Sequence, residues 1–417
     1  MSHSGRLTVD AARLRGDLET LGKIGRAPGA GITRTSFSRS DMQAREWYRA
    51  SCRAASLELR VDAVGNMFAG AGSDAGVAAV WSGSHIDTVP DGGAFDGAVG
   101  AVAALECVRR ITEEGISLSR PVRAVVFADE EGNYSHLFGS SALTRGFDEE
   151  QLRGMVGRDG DHLVDALAAG GWDVAAFGDT RVDPESVYAF VELHIEQGPR
   201  LEAMATQIGV VTSIVGLGGA VVEFYGRADH AGTTPMTGRR DPLLAAADLI
   251  AAMPAIAASV SDVAVATCGR VDISPGSANV VPSLARLTLD YRDPDAARLG
   301  TLGARLEEKA AQAGSRHGVR YAWVPDVPIA PVELNPRIRS AIDRHADSLG
   351  LSTLAMPSGA GHDSQNMATI APTGMIFVPS KSGRSHCPDE DTDWTDVTNG
   401  ANVLLNTLIE LATSGIS

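Results

Sequence analysis

Four apolar runs in this chain lead into loops that carry acids, histidines or both. Val77 to Ser84 runs into His85-Ile86-Asp87-Thr88, Pro121 to Ala128 into Asp129-Glu130-Glu131-Gly132, and Val187 to Ile195 into Glu196-Gln197-Gly198. The run 374–379 precedes Ser385-His386-Cys387-Pro388. Short apolar runs bounded by turn residues read as buried strands. Helical patterns at 9–26, 40–56 and 98–112 accompany them, the second with an N-cap signal at Ser40-Asp41. Strands alternating with helices specify a largely parallel sheet, and open α/β sheets bind ligands off the carboxyl ends of their strands. One feature thus gives both a fold class and a place for chemistry.

At 417 residues the chain exceeds one ordinary core. Its character changes near Ile214-Val215-Gly216-Leu217-Gly218-Gly219. From there the pattern reads strand 220–228, helix 242–258, strands 262–273 and 284–292, helix 294–315 and strand 319–325. Asp241-Pro242 and Asp293-Pro294 open the two helices with an N-cap and an N1 proline. This β-α-β-β-α-β order is ferredoxin-like. The chain then returns to helix 335–349, a Gly-rich loop at 358–363, strand 374–379 and helix 393–413. The expected architecture is a two-domain α/β protein. A mixed, mostly parallel sheet forms a discontinuous catalytic domain, 1–213 with 327–417, and a ferredoxin-like domain is inserted at 214–326. Residues 144–185 read as helical pieces and loops without a clear place.

A net charge of −16 argues against nucleic acid or an anionic membrane, both of which need clustered Lys and Arg. Cys52, Cys107, Cys268 and Cys387 form no C-x-x-C pair, so free thiols in a reducing cytoplasm are expected. Met1 to Arg6 carries no apolar leader pattern, and the run Leu249 to Val260 is too short to span a bilayer.

In a strand, residues i and i+2 share a face, so His85 and Asp87 project together from a strand end, as a metal ligand and its partner do. A satisfied buried histidine explains them equally well. Asp96, in Asp91-Gly92-Gly93-Ala94-Phe95-Asp96-Gly97, is presented just before a helix, either as a cap or as a ligand. Glu130 and Glu131 repel each other at the end of a buried strand. A divalent cation is preferred there over a solvated turn, with one glutamate binding metal and the other free as a general base. Glu192, His194 and Glu196 share one strand face, and His194 is a candidate ligand or a histidine satisfied by its neighbours. His386 alone is a loop histidine with no assignable role. Together, three histidines, Asp96 and Glu131 make a mixed oxygen and imidazole set that suits zinc, manganese, cobalt or nickel. A bridging carboxylate among them would hold two ions ~3.5–4 Å apart.

These motifs resemble the M20 metallopeptidase superfamily, and within it the amidase branch of N-carbamoyl-L-amino-acid hydrolases, allantoate amidohydrolases and β-ureidopropionases. The resemblance covers roughly residues 15–412. It implies that His85, Asp96, Glu131, His194 and His386 bind two divalent ions, with Asp96 bridging. It implies Glu130 as general base beside a metal-bound hydroxide, Asp87 orienting His85, and Gln197 of Glu-Gln-Gly touching substrate. Asp229-His230-Ala231-Gly232-Thr233-Thr234-Pro235-Met236 implies that His230 supports the oxyanion in the partner subunit of a homodimer joined through the inserted lid. Asn279 in Gly276 to Pro282 and Arg292 in Leu289-Asp290-Tyr291-Arg292 would hold a substrate carboxylate, and His362 in Gly359-Ala360-Gly361-His362-Asp363 would line the pocket. Glycines 216–219 are candidate hinges. The chain departs from the branch at Tyr134 and Ser141, which stand where arginines are usual. The expected activity is hydrolysis of a small, linear, carboxylate-bearing amide. An aminoacylase or dipeptidase of the same superfamily, or a non-catalytic small-molecule binding protein, are the alternatives.

Overall fold

The apolar runs do become strands, and the strands stop where the acids and histidines begin. A computed structural model describes residues 7–72, 76–172 and 180–416. The N-terminal hexapeptide, and 173–179 within the unplaced stretch 144–185, lie outside the described residues. The chain divides into two units, Met1–Thr212 with Leu334–Met356 and Ala360–Ser417, and Ser213–Glu333 with Pro357–Gly359. The strands in chain order are β1 (Glu58–Val61), β2 (Met67–Gly70), β3 (Ala79–His85), β4 (Val122–Phe127), β5 (Val187–Ile195) and β6 (Ile208–Ile214). Then come β7 (Gly216–Tyr225), β8 (Asp229–His230), β9 (Val265–Ser274), β10 (Val280–Val281), β11 (Leu284–Asp293), β12 (Arg320–Pro325) and β13 (Val332–Glu333). Finally β14 (Thr353–Ser358) and β15 (Thr373–Val378) complete the set.

The large sheet runs β1-β2-β4-β3-β5-β15-β6, with β14 also on β6, and β13 pairs with the last two residues of β6. Its centre is parallel: β3 pairs with β4 and β5, and β15 with β5. Register aligns His85 with Phe127 and Val378 with Ile195, so the carboxyl ends fall together. The helix Ala98–Glu113 is buried on nearly every side, and its first two turns are wholly apolar. It is packed between the sheet and the helices Ala11–Leu21 and Trp394–Thr413. A Cβ at Gly100 would come within 2.2 Å of the Leu193 carbonyl oxygen, so this helix lies tight on β5 and its N-terminus is held at the strand ends.

The second unit is an antiparallel sheet ordered β12-β7-β11-β9. Burial alternates along β7 and β11, and their inner face packs on the helices Pro242–Val260 and Ala296–Arg316, in the expected β-α-β-β-α-β order. β8 and β10 form a separate two-stranded ribbon.

Several details differ from the sequence reading. β1, β2, β6 and β14, and the two-residue strands β8, β10 and β13, were not anticipated. The second helix of the inserted unit is capped by Asp295, whose side chain accepts from Arg298 N. Asp293 instead ends β11, buried and bonded to Ser261 and Arg298. Gly216, Gly218 and Gly219 lie inside β7 and pair with Asp293, Tyr291 and Asp290 of β11. A Cβ on Gly218 would meet the Tyr291 ring at 2.2 Å. Close packing, rather than a hinge, accounts for these glycines. The helix Pro242–Val260 has 19 residues and by length and composition alone is apolar enough to cross a bilayer, which the shorter run 249–260 was not. Here it lays Ala245, Ala246, Leu249, Met253 and Ala257 into the core of the second unit.

The loop after β4 is anchored by buried Asn66. Its Nδ2 donates to Asp62 Oδ2 at 2.8 Å and to the Gly139 carbonyl at 3.1 Å, and its Oδ1 accepts Ala128 N at 2.9 Å. Asn66→Ala leaves the Ala128 N–H and the Gly139 carbonyl without these partners. At about 1–3 kcal/mol per stranded buried group, the expected loss is about 2–6 kcal/mol in urea unfolding. A change below about 0.5 kcal/mol would show that the loop is anchored elsewhere.

Candidate active site

His85 is the last residue of β3 and His194 the next to last of β5, and both are buried. Asp96 stands two residues before the helix Ala98–Glu113 and faces three imidazoles. Its Oδ1 lies 3.2 Å from His194 Nε2 and 3.6 Å from His85 Nε2, and its Oδ2 lies 3.2 Å from His386 Nε2. His386 Nε2 is also 3.4 Å from Glu131 Oε1. Among the described residues the donors gather in four groups, His85 with Asp96 and His194, Asp96 with Glu131 and His386, His85 with Glu130 and Glu131, and Glu192 with His194 and His362, and the first two share Asp96. Glu130 turns its Oε2 to within 3.5 Å of His85 Nε2.

The hydrogen bonds of the two buried imidazoles show that this set fits cations. His85 Nδ1 lies 3.1 Å from the Asp87 carbonyl oxygen and His194 Nδ1 lies 2.9 Å from that of Ile195. A carbonyl only accepts, so in the neutral rings the proton sits on Nδ1 and the Nε2 lone pairs face the cluster. Gly97 N donates to His194 Nε2 at 3.1 Å, which agrees. The acids point the same way. Burial, aided by Glu131, Asp363 and Asp87 and opposed by His85, pushes the Glu130 carboxyl well above its usual range. Burial and the charge of Asp96 push Glu131 up to about 7. Crowded acids of this kind are stabilised by positive charge.

The backbone at the site is bent to present these groups. Asp129, Gln197 and His386 have φ of 52°, 57° and 55°, in the left-handed region that costs a non-glycine residue energy and recurs at functional sites. Gly97 has φ of 61°, and a Cβ there would lie 2.2 Å from His85 Nε2.

The remaining expected residues divide between the units. Asp87 lies beside His85, but its carboxylate oxygen is 3.5 Å from Nδ1 and its backbone carbonyl makes the closer contact. The other carboxylate oxygen accepts Ser36 Oγ at 2.8 Å and Glu131 N at 3.2 Å, so Asp87 ties the loops after β3 and β4 together. Gln197, expected on substrate, donates from Nε2 to Asp96 Oδ2 at 2.7 Å. Buried His362 packs edge-on to His194, with ring centroids 4.5 Å apart. Tyr134 hydrogen-bonds through its hydroxyl to Asp161, and Ser141 accepts from Asn366 Nδ2 at 3.0 Å and Arg145 Nη2 at 3.1 Å.

His230, Asn279 and Arg292 belong to the second unit. The β8–β10 ribbon sets Val280 opposite His230, which brings Asn279 next to it. Arg292 pairs with Asp290 through Nε at 2.9 Å and Nη2 at 3.2 Å, and Nη1 donates to the Gly359 carbonyl at 3.1 Å. Sequence reasoning missed Ser385 and Glu390, which lock Asp96 from behind. Their only local signal is that they flank His386.

Residues 81–410 match the model of peptidase family M20/M25/M40. The chain is 36% identical over 403 residues to an N-carbamoyl-L-amino-acid amidohydrolase of Paenarthrobacter aurescens, covering 96% of this chain and 98% of that protein. It is 35% identical to the allantoate amidohydrolase of Escherichia coli, covering 95% and 96%. Among solved structures it is similar to an amidase of the hydantoinase/carbamoylase family from Burkholderia multivorans. The TM-score is 0.89 at 34% identity, over 98% of this chain and 99% of that one.

Gly97 offers no donor side chain, yet its missing Cβ makes room for His85. Gly97→Ala is expected to weaken divalent-ion affinity by about 10–100-fold, the range for residues that orient ligands, in a competition titration against a chromophoric chelator. Unchanged affinity would mean that the His85 ring has another place to go.

Proposed function

Because the chain belongs to peptidase family M20/M25/M40 and, within it, to the hydantoinase/carbamoylase amidases, it is a metal-dependent hydrolase of amide or ureido C–N bonds, and we propose that its substrate is an N-carbamoyl amino acid or a related ureido acid such as allantoate. The observation that carries this reading is the sharing of Asp96 between two donor sets, with Glu130 beside them but outside both. Two divalent ions, zinc or else manganese, cobalt or nickel, would be held by His85, Asp96 and His194 and by Asp96, Glu131 and His386. Such a pair, when bound, polarises a carbonyl and makes water nucleophilic at neutral pH.

The chain's own residues do the rest. Glu130 takes a proton from the attacking water and returns it to the leaving nitrogen. Asp87 and Gln197 hold the ligand loops and Asp96 in place, and His362 walls the site beside His194. Arg292 and Asn279 bind the substrate carboxylate. A guanidinium has five N–H donors, and the contacts to Asp290 and Gly359 use three of them, which leaves donors for a carboxylate. His230 Nδ1 accepts from Gly232 N at 3.0 Å and Thr233 N at 3.2 Å. Its proton therefore sits on Nε2, which donates to the oxyanion developing in the partner subunit. For an N-carbamoyl substrate the products are the amino acid, ammonia and carbon dioxide.

We also propose a homodimer joined through the second unit acting as a lid, in a reducing cytoplasm. Edge strand β9 and the helix Pro242–Val260 leave Leu244, Val265, Val271 and Ile273 exposed, and an unpaired apolar edge favours association. All four cysteines are free.

The reading is tested with metal-reconstituted protein and a panel of N-carbamoyl-L- and D-amino acids, allantoate and N-carbamoyl-β-alanine, followed by ammonia release. Turnover of a ureido acid supports it. Cleavage of dipeptides or N-acetyl amino acids alone moves the chain to the peptidase or aminoacylase side, and tight binding without turnover to the binding-protein side. Glu130→Gln is expected to keep its metal while kcat falls by about 10²–10⁴-fold; undiminished turnover removes Glu130 from the base role. Arg292→Lys, which loses the planar fork, is expected to raise KM more than it lowers kcat. An unaltered KM would place the carboxylate elsewhere.

A further inference from the structure

Glu390 lies behind the metal donors and joins two loops that are far apart in sequence. Its Oε1 accepts Phe95 N at 2.8 Å and Asp96 N at 3.1 Å. Its Oε2 lies 2.8 Å from Ser385 Oγ, and that hydroxyl is also 2.6 Å from Asp96 Oδ2. The side chain is almost fully enclosed, at 6% exposure. A Cβ on Gly93 would come within 2.1 Å of its carboxyl group, so the loop bearing Asp96 is moulded around it.

The local chain has no substitute for this carboxylate. The N-cap of the helix that follows Asp96 is Gly97, which has no side chain to make a capping hydrogen bond. Buried backbone N–H groups need acceptors, and for Phe95 and Asp96, just ahead of that N-cap, the acceptor comes from 294 residues or more further along the chain. The same side chain sits four residues beyond His386, whose left-handed backbone aims its ring at Asp96 and Glu131.

We propose that Glu390 is a positioning residue of the metal centre. It fixes the spacing between the Asp96 loop and the His386 loop, so that one carboxylate faces both donor sets. This rests on the metal reading given above. The role needs acceptors rather than charge, because a second carboxylate so near Asp96 is electrostatically unfavourable. A glutamine can serve: its Oε1 accepts the two backbone N–H groups, and its amide donates to Ser385 Oγ, leaving the hydroxyl proton for Asp96.

The test is metal stoichiometry and affinity, by competition with a chromophoric chelator, for wild type, Glu390→Ala, Glu390→Gln and Ser385→Ala, with thermal melts of the metal-free proteins. Glu390→Ala is expected to lose about 10–100-fold in affinity, and Glu390→Gln to restore most of it. Should Glu390→Ala fail to melt cooperatively, Ser385→Ala removes only the hydroxyl between Glu390 and Asp96, and a loss of affinity with an unchanged melt supports the proposal. If wild type binds no divalent ion, the metal reading falls and the proposal with it. If wild type binds two ions and neither Glu390→Ala nor Ser385→Ala binds them more weakly, or if Glu390→Gln is as impaired as Glu390→Ala, the positioning role alone is overturned.

Discussion

Asp96 has to face three imidazoles and two neutral donors with only two oxygens. His85 and His194 approach one oxygen, while His386, Gln197 and Ser385 approach the other. The contacts range from 2.6 Å for Ser385 to 3.6 Å for His85, and together they crowd the carboxylate from both sides. The rest of the first unit can be understood as the means of bringing those groups to one buried point. The three imidazoles come from the end of β3, the end of β5 and a loop beyond β15, and the parallel register of these strands sets their spacing.

Burial of several acids in one place costs stability unless positive charge or donors meet them. Here the chain meets part of that cost with its own groups. Asp129 receives Asn133, Tyr134 and Ser135 N–H, Glu196 receives Arg200 and Leu201 N–H, and Glu192 receives the hydroxyls of Ser84 and Ser364. Glu130 and Glu131 face the imidazoles of His85 and His386 instead. The contrast between acids satisfied by the fold and acids left to a cation separates scaffold from chemistry within a few residues of one another.

Much of this was legible in the sequence because strand ends are local signals. An apolar run stopping at His85, Ala128 or Ile195 marks both the strand and the direction in which its last side chains leave the sheet. Asp96 and His386 sit in loops, where composition alone gave a cap and an unremarked histidine, and only the resemblance raised them to ligands. Other groups were illegible for a physical reason. Asn66 and Glu390 act on backbone atoms 62 and 294 residues away, and no local pattern encodes such a partner. Asp87 shows a subtler limit: the pattern found the residue, but its main-chain carbonyl, common to every amino acid, holds the His85 ring. Strand β1 was missed because it is four residues long and half exposed, and Asp293 misled because a strand end and a helix cap use the same side chain.

The order of strands also bears on how the protein is made. β15 is inserted between β5 and β6, both completed more than 150 residues earlier. Until residue 378 has left the ribosome, the nascent sheet has two open inner edges, and His194 waits on one of them. Contacts this distant in sequence form slowly, and their exposed edges invite mispairing in the interval. The segment 373–378 is therefore the keystone of the sheet during synthesis, and a chain that stops short of it leaves β5 and β6 without their common neighbour.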